Sequence, residues 1–312
     1  MKKYLILLLI PLLYFTPLLV IRQFDLQPRS VASTDSSTSE NNACEINITL
    51  TTSPDPLPLE TYLVGVVSGE MPASFELEAL KAQAIAARTY AIHQTNYGEN
   101  AINTTIAHQV FENEQQRQKK WLTTFQQHEQ KIQQAIEETA DKILLYNNVP
   151  ISAMFHASSY QNTESAKNYS DNSISYLQSV QTPEQVEPQI TEWTVKKLNS
   201  ALQTNATLAQ YQKATITQND TKHVEKVQIA NQTWTGREFR DALKLQSTKF
   251  SIEPTKKGVN ITTLGNGHGV GMSQYGANEL AKQGYSAEQI VAHYYPNTSL
   301  ETIGCPPPNS SE

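Results

Sequence analysis

Leu57–Pro72 reads LPLETYLVGVVSGEMP, and the fold follows from what this stretch can form. Leu59, Tyr62, Leu63, Val66 and Val67 recur at three- and four-residue spacing, which predicts a helix with one buried stripe. Pro58 suits the first helical turn, because its φ is fixed near the helical value and the N–H it lacks would have no intrahelical partner there. Gly69 is expected to close the helix in the left-handed conformation, and Pro72 to prevent its resumption. Glu70 follows the buried stripe directly, between a glycine and a proline. On the residues alone two readings stand: an exposed loop glutamate, or an acid bordering a cleft.

Downstream, SFELEALKAQAIAARTYAIHQTNYG predicts a long helix capped by Ser74 and ended by Gly98. Leu77, Leu80, Ala84, Ala87 and Ala91 form a narrow stripe of small residues that lets another element pack closely. Arg88 lies one position off that stripe, either on the surface or semi-buried and holding a carboxylate. Residues 101–113 read as strand and loop. Helical spacing then resumes through Trp121, Leu122, Phe125, Ile132, Ile136 and Ala140. KILLYNN and VPISAMFHASS predict a hairpin turning at Asn147–Asn148, residues that tolerate positive φ. His156 ends its second strand.

The stretch from Tyr160 to Asp220 is rich in Ser, Thr, Asn and Gln, with short helices expected at Thr191–Leu202 and Ala206–Gln212. HVEKVQIA predicts a strand, TWTGREFRDALKL a helix after Gly236, and FSIEPTKKGVNITTLG a strand pair. In GNGHGVGMSQYGANELAKQGYSAEQIVAHYYPNTSL, glycines alternate at 265, 267, 269 and 271, which permits close backbone approach. No dinucleotide or P-loop fingerprint is present. Helices are expected from Ser273 to Gln283 and from Ser286 to Tyr294. His268, Gln274 and Tyr275 therefore cluster at a glycine loop and a helix start, as a polar wall of a cleft or as a structural turn.

Upstream, MKKYLILLLIPLLYFTPLLVI carries no charge between Lys3 and Arg22. It reads as a membrane segment or a signal peptide. The one tolerable cleavage site, Ser30-Val31-Ala32, lies late, beyond Arg22 and Arg29. This favours an uncleaved membrane anchor at 1–22, at the short end of the roughly 17–25 residues needed to span, with the N-terminus cytoplasmic. A polar stalk is expected at 23–44, an extracytoplasmic domain at 45–305 and a tail at 306–312. The net charge of −6 argues against nucleic acid as a partner. Cys44 and Cys305 bracket the domain, as a disulfide or as two separate thiols. The seven histidines show no HExxH pattern, and no CxxC or GxSxG occurs, so neither a metal site nor a nucleophile triad is expected. No cofactor is called for. The fold class expected is α+β: mixed helices and antiparallel strands around a substrate groove, preceded by the transmembrane helix.

LPLETYLVGVVSGEMP, ALKAQAIAARTYA, HQVF, FHASS and GHGVGMSQYGANELAKQGYSAEQIVAHYYPNT, in this order, resemble the stage II sporulation protein D family, which also includes cell-wall amidase enhancers. The resemblance runs from about Leu57 to Leu300. It implies a membrane-anchored lytic transglycosylase that cuts peptidoglycan glycan strands between N-acetylmuramic acid and N-acetylglucosamine, leaving a 1,6-anhydro end. Glu70 takes the place of the family's catalytic glutamate. Arg88, Gln109, His156, His268, Gln274 and Tyr275 are the substrate-binding candidates. Family members of this type act in forespore engulfment from the mother-cell membrane, with an amidase that first strips stem peptides and a further membrane protein. The alternatives are a non-catalytic amidase enhancer or a hydrolytic muramidase. Two departures are visible. FHASSYQNTESA lacks the glycine pair and cysteine of many relatives, which speaks against the zinc site of some members. HQVF replaces DQVY or CQVY, keeping Gln109.

Overall fold

The structure is a computed structural model in which residues 46–303 are described, apart from 106–107. The expected anchor and stalk, both cysteines and the tail lie outside the described residues. Among the described residues no helix is long and apolar enough to cross a membrane.

The chain starts with an antiparallel hairpin, β1 (Asn47–Leu50) and β2 (Ser53–Pro58), and runs from its last proline into α1 (Leu59–Glu70). All five residues of the apolar stripe are buried, together with Gly65 and Ser68. Pro58 stands just before the helix with an extended ψ of 137° rather than inside its first turn. The helix also runs through Gly69, and it is Met71, at φ −119° and ψ 145°, that turns the chain away. Gly69 is there for space and not for a left-handed stop. A Cβ at this position would stand 3.0 Å from the Val110 carbonyl oxygen and 3.1 Å from Val110 Cγ1.

The next helix, α2 (Leu77–Thr95), is the hub of the main core. Ala82, Ala84, Ala86, Ala87 and Ala91 are fully enclosed, and the lack of bulk lets neighbours come close on every side. Its N-cap position falls on Glu76, whose N–H is taken by Asn278 Oδ1 at 2.8 Å. Asn96 caps the far end in the left-handed conformation, two residues before the expected Gly98. The polar helix that follows is broken into α3 (Glu114–Trp121) and α4 (Phe125–Glu137) by a 3-10 turn at Leu122–Thr124, where Leu122 takes a φ of 45°.

The hairpin of β3 (Lys142–Tyr146) and β4 (Val149–Pro150) turns as expected at Asn147 and Asn148, with φ values of 51° and 62°. β5 (Phe155–His156) and α5 (Ala166–Ser170) follow. A second hydrophobic cluster then forms wholly from residues between Leu198 and Ile261. It is built by β6 (Gln189–Thr194), α6 (Val195–Leu202), α7 (Leu208–Tyr211), β7 (Thr215–Gln218), β8 (Val224–Ile229), β9 (Gln232–Thr235), α8 (Gly236–Leu243), β10 (Phe250–Pro254) and β11 (Gly258–Thr263). The helix expected from Thr191 starts only at Val195. Residues 189–194 instead pair along their whole length with β11, from Gln189↔Thr263 to Thr194↔Gly258. That pairing outweighs local helical preference.

The chain then returns to the first core through β12 (Met272–Ser273), α9 (Gln274–Lys282) and α10 (Ala287–Tyr294), and ends with β13 (Ser299–Thr302) antiparallel to β3. β12 lies parallel to β5 (Met272↔Phe155, Ser273↔His156). Residues 189–263 thus form an insertion whose first and last strands pair with each other, from Gln189↔Thr263 to Thr194↔Gly258. The other strand pairs are antiparallel, so the α+β expectation holds.

Candidate active site

Glu70 is the last residue of α1, and its carboxyl reaches past the helix end into a cleft of about 410 Å³. The cleft is walled by 69–74 on one side and by Lys120, Trp121 and His128 on the other. A larger groove of about 850 Å³ beside the β1–β2 hairpin shares none of these residues. Among the described residues, Glu70 is the one acid lining the smaller cleft.

Two contacts hold the carboxyl. The Val110 N–H donates to Oε1 at 2.6 Å, and Gln274 Nε2 approaches Oε2 at 3.5 Å. Burial pushes the Glu70 pKa above the usual carboxylate value, and these two donors pull it partly back. The outcome is an acid displaced toward neutrality yet fixed in orientation, as proton transfer to a substrate requires.

The Val110 N–H owes its position to two features. Gly65 and Gly69, one helical turn apart, leave a flat track on α1 where the 109–112 segment lies, and the Glu112 N–H donates to the Gly65 carbonyl at 3.1 Å. Gln109 then pins the segment from beneath. It is fully buried, accepts from the Tyr62 hydroxyl at 2.9 Å and donates to the Ala87 carbonyl at 3.1 Å. The Tyr62 and Tyr90 hydroxyls both feel the Glu70 charge. Burial first, and that charge second, push their pKa values up, so both remain neutral donors. Tyr90 also approaches His108 Nδ1 at 3.4 Å.

Gln274 opens α9, whose N-cap is Ser273, and Tyr275 follows with its ring edge-on to Phe75 at 5.0 Å. Tyr275 is 48% exposed, a large aromatic face left to solvent beside Gln274. A buried polar knot fixes this helix start: Glu184 Oε1 accepts from the Ser273 hydroxyl at 2.5 Å and from the Ser159 N–H at 2.8 Å.

Of the residues singled out from sequence, the structure brings Gln274 directly to Glu70, Gln109 to it through Val110, and Tyr275 alongside. It sends three elsewhere. Arg88 has no exposed surface, and the carboxylate it holds belongs to Glu60, through Nε at 2.8 Å and Nη2 at 2.6 Å. Its remaining contacts are the Lys142 and Ile136 carbonyls, so it braces α1 against α2, α4 and β3 and has no free donor edge for a sugar. His156 is buried between Ser159 Oγ at 2.6 Å and the Val270 carbonyl at 3.2 Å, and burial holds its pKa well below the imidazole value. His268 accepts from the Val270 N–H at 3.1 Å, and desolvation pushes it down to about 4. The two rings lie 5.6 Å apart. They stabilise the glycine loop, where Gly265, Gly267, Gly269 and Gly271 all take positive φ. Gln109 is likewise enclosed and not part of a substrate wall.

A family model described as "Stage II sporulation protein" matches residues 50–146, which hold Glu70, Gln109 and Val110. Stage II sporulation protein D of Bacillus subtilis (strain 168) is 36% identical over 264 residues, covering 78% of this chain and 74% of that protein. The chain belongs to the stage II sporulation protein D family. The protein of the same name from Bacillus amyloliquefaciens is 37% identical over 261 residues, with the same coverages. A protein named amidase enhancer, also of Bacillus subtilis, is 29% identical over 299 residues, covering 76% of this chain but 40% of that protein.

In this member of the family, several residues around Glu70 and its cleft escaped sequence reasoning. Tyr62 looked like one more apolar-stripe residue, although a buried tyrosine needs an acceptor for its hydroxyl, and that need was legible. Trp121 looked like a helix-face aromatic. Val110 contributes only its backbone N–H, which no side-chain pattern announces. Among the described residues no group of three His, Cys, Asp or Glu side chains is arranged to hold a metal.

Proposed function

We propose that the protein is a lytic transglycosylase acting on peptidoglycan glycan strands, with Glu70 as its acid and then its base. The observation that carries this reading is a single desolvated carboxyl, oriented by the Val110 N–H, in a cleft lined, among the described residues, by no second acid. Ordinary glycosidases need a second carboxylate to activate water or to attack the sugar. A muramyl residue supplies its own nucleophile. Protonated Glu70 gives its proton to the glycosidic oxygen as the C1–O bond breaks, and the oxygen leaves as a hydroxyl of the N-acetylglucosamine. The muramyl C6 hydroxyl closes on C1, and its proton passes to the Glu70 carboxylate. The enzyme returns to its starting state, and no water enters. In this reading Gln274, which contacts the carboxyl, and the exposed Tyr275 beside it meet the strand.

The same reading places the chain on a membrane through residues 1–22, with the domain outside the cytoplasm. Its setting is forespore engulfment, beside an amidase that strips stem peptides and a further membrane protein. Kinship with the sporulation proteins supports that setting. The likeness to an amidase enhancer favours a second reading, a non-catalytic activator of the amidase.

Product mass separates these readings. The full chain, incubated with peptide-free glycan strands, is expected to release ends one water lighter than hydrolysis products. Ordinary reducing ends would make it a muramidase. Absence of cleavage together with amidase stimulation that survives Glu70→Gln would make it an enhancer.

A further inference from the structure

Trp121 ends α3, a helix reading EQQRQKKW whose one buried residue is Arg117. A large aromatic on so polar a helix needs a reason, and part of it is packing, since Trp121 lies against the main core. The rest of the ring borders the Glu70 cleft. His128 meets it edge-on at 5.4 Å, Phe125 lies at 6.3 Å, and Lys120 Nζ stands 5.8 Å from its centroid. Lys120 is itself anchored, donating to the Ser68 carbonyl at 2.7 Å and to Glu112 at 3.0 Å. The wall facing the catalytic turn is therefore rigid and tied to α1 near Glu70. Among the described residues, no group accepts the Trp121 indole N–H.

A half-buried indole with a free N–H in a cleft is a surface for a pyranose. The C–H-bearing face of the sugar packs on the ring's negative π face, and a ring hydroxyl accepts the N–H. We infer that Trp121 forms a sugar-binding subsite for the glycan strand, one side of the scissile bond from Glu70. The inference rests on the glycan-cleaving reading of the cleft, and it names the residue that grips the strand there. Tyr275, exposed beside the Gln274 that contacts the carboxyl, is a second aromatic in the neighbourhood of Glu70.

The test uses the full chain carrying Glu70→Gln, so that bound strands survive, titrated with peptide-free glycan strands while tryptophan emission is followed. Trp193 and Trp234 belong to the second core and serve as the constant background. Emission is expected to change on binding, and the change to vanish in a Glu70→Gln, Trp121→Phe double variant. With Glu70 intact, Trp121→Ala is expected to raise KM about ten-fold with kcat little altered, and Trp121→Phe to recover part of the loss. Emission that does not respond, or a response undiminished by Trp121→Phe, overturns the subsite. So does Trp121→Ala lowering only the melting temperature with KM unchanged. If emission responds but the wild-type chain cleaves nothing, the subsite stands and the lyase reading fails. Cleavage with silent emission does the reverse.

Discussion

Replacing Tyr62 by Phe and Gln109 by Leu, singly and together, tests whether the buried pair holds the segment that orients Glu70. Both side chains have 0% exposure, and the 2.9 Å bond between them spans α1 and the 109–112 segment. Tyr62→Phe strands the Gln109 carbonyl, at about 1–3 kcal/mol for an unsatisfied buried group. Gln109→Leu strands the Tyr62 hydroxyl at similar cost and also gives up the bond to the Ala87 carbonyl, about 1 kcal/mol more. The double variant leaves two apolar groups facing one another, which is close to neutral for that pair. It should therefore cost at least about 2 kcal/mol less than the sum of the singles. For a domain of this size that is a melting-temperature discrepancy of about 4–8 °C, at roughly 2–4 °C per kcal/mol. Thermal unfolding of all four proteins by circular dichroism measures it. Additivity within about 0.5 kcal/mol would refute the clamp. A second readout connects the clamp to chemistry. If Val110 loosens, Glu70 loses the N–H that favours its ionised form, so the alkaline limb of the cleavage profile moves to higher pH in both singles. An unmoved limb would mean that Gln109 holds the core but not the acid.

Further outcomes follow from the same geometry. Glu70→Gln keeps an acceptor for the Val110 N–H but has no proton to give, so cleavage should fall about 10²–10⁴-fold with an unchanged melting temperature; undiminished cleavage removes Glu70 from the mechanism. Gly69→Ala improves helix propensity by about 1 kcal/mol, yet its methyl presses on Val110 at 3.0 Å. Activity should drop more than stability, and full activity would show that Val110 can yield. Arg88→Ala removes the bidentate partner of Glu60 from a fully enclosed site and should lower stability by about 3 kcal/mol, measured by urea unfolding. Desolvation pushes His223 and His268 down to about 4 and His156 well below the imidazole value, so the folded chain keeps these rings neutral while the unfolded chain gains protons below about pH 6.5. Stability is then full above that pH and falls as pH drops toward 4, by about 2 kcal/mol at pH 5 for His268, with His223 and His156 acting in the same direction. The raised Glu70 value acts in the opposite direction and offsets part of the loss. A urea midpoint constant from about pH 7 to 5 would contradict this account.

Much of the site's frame was legible because it is local. The apolar stripe of α1, the Asn147–Asn148 turn and the helix starts at Ser273 and Ser286 each depend on a few neighbouring residues. Gly69 shows the boundary of such reasoning. Its lack of a Cβ was rightly read as meaningful, but whether that served a left-handed stop or a close approach depended on Val110, which lies far along the chain. Arg88 shows it again: a carboxylate partner was expected, and only packing revealed that the partner is Glu60 and that no face remains for substrate. The helix expected from Thr191 gave way to β6 because β11, more than sixty residues on, supplies a complete ladder.

By itself, the sequence determined the α+β class, the order of the main helices, the family and the candidacy of Glu70, since periodicity, capping and a long motif are written in adjacent residues. Tertiary structure decided what surrounds Glu70. Its carboxyl meets an N–H forty residues away and an amide 204 residues away, and burial takes water from it. A pKa is set by everything that surrounds a charge in space, and only the folded chain brings those groups together.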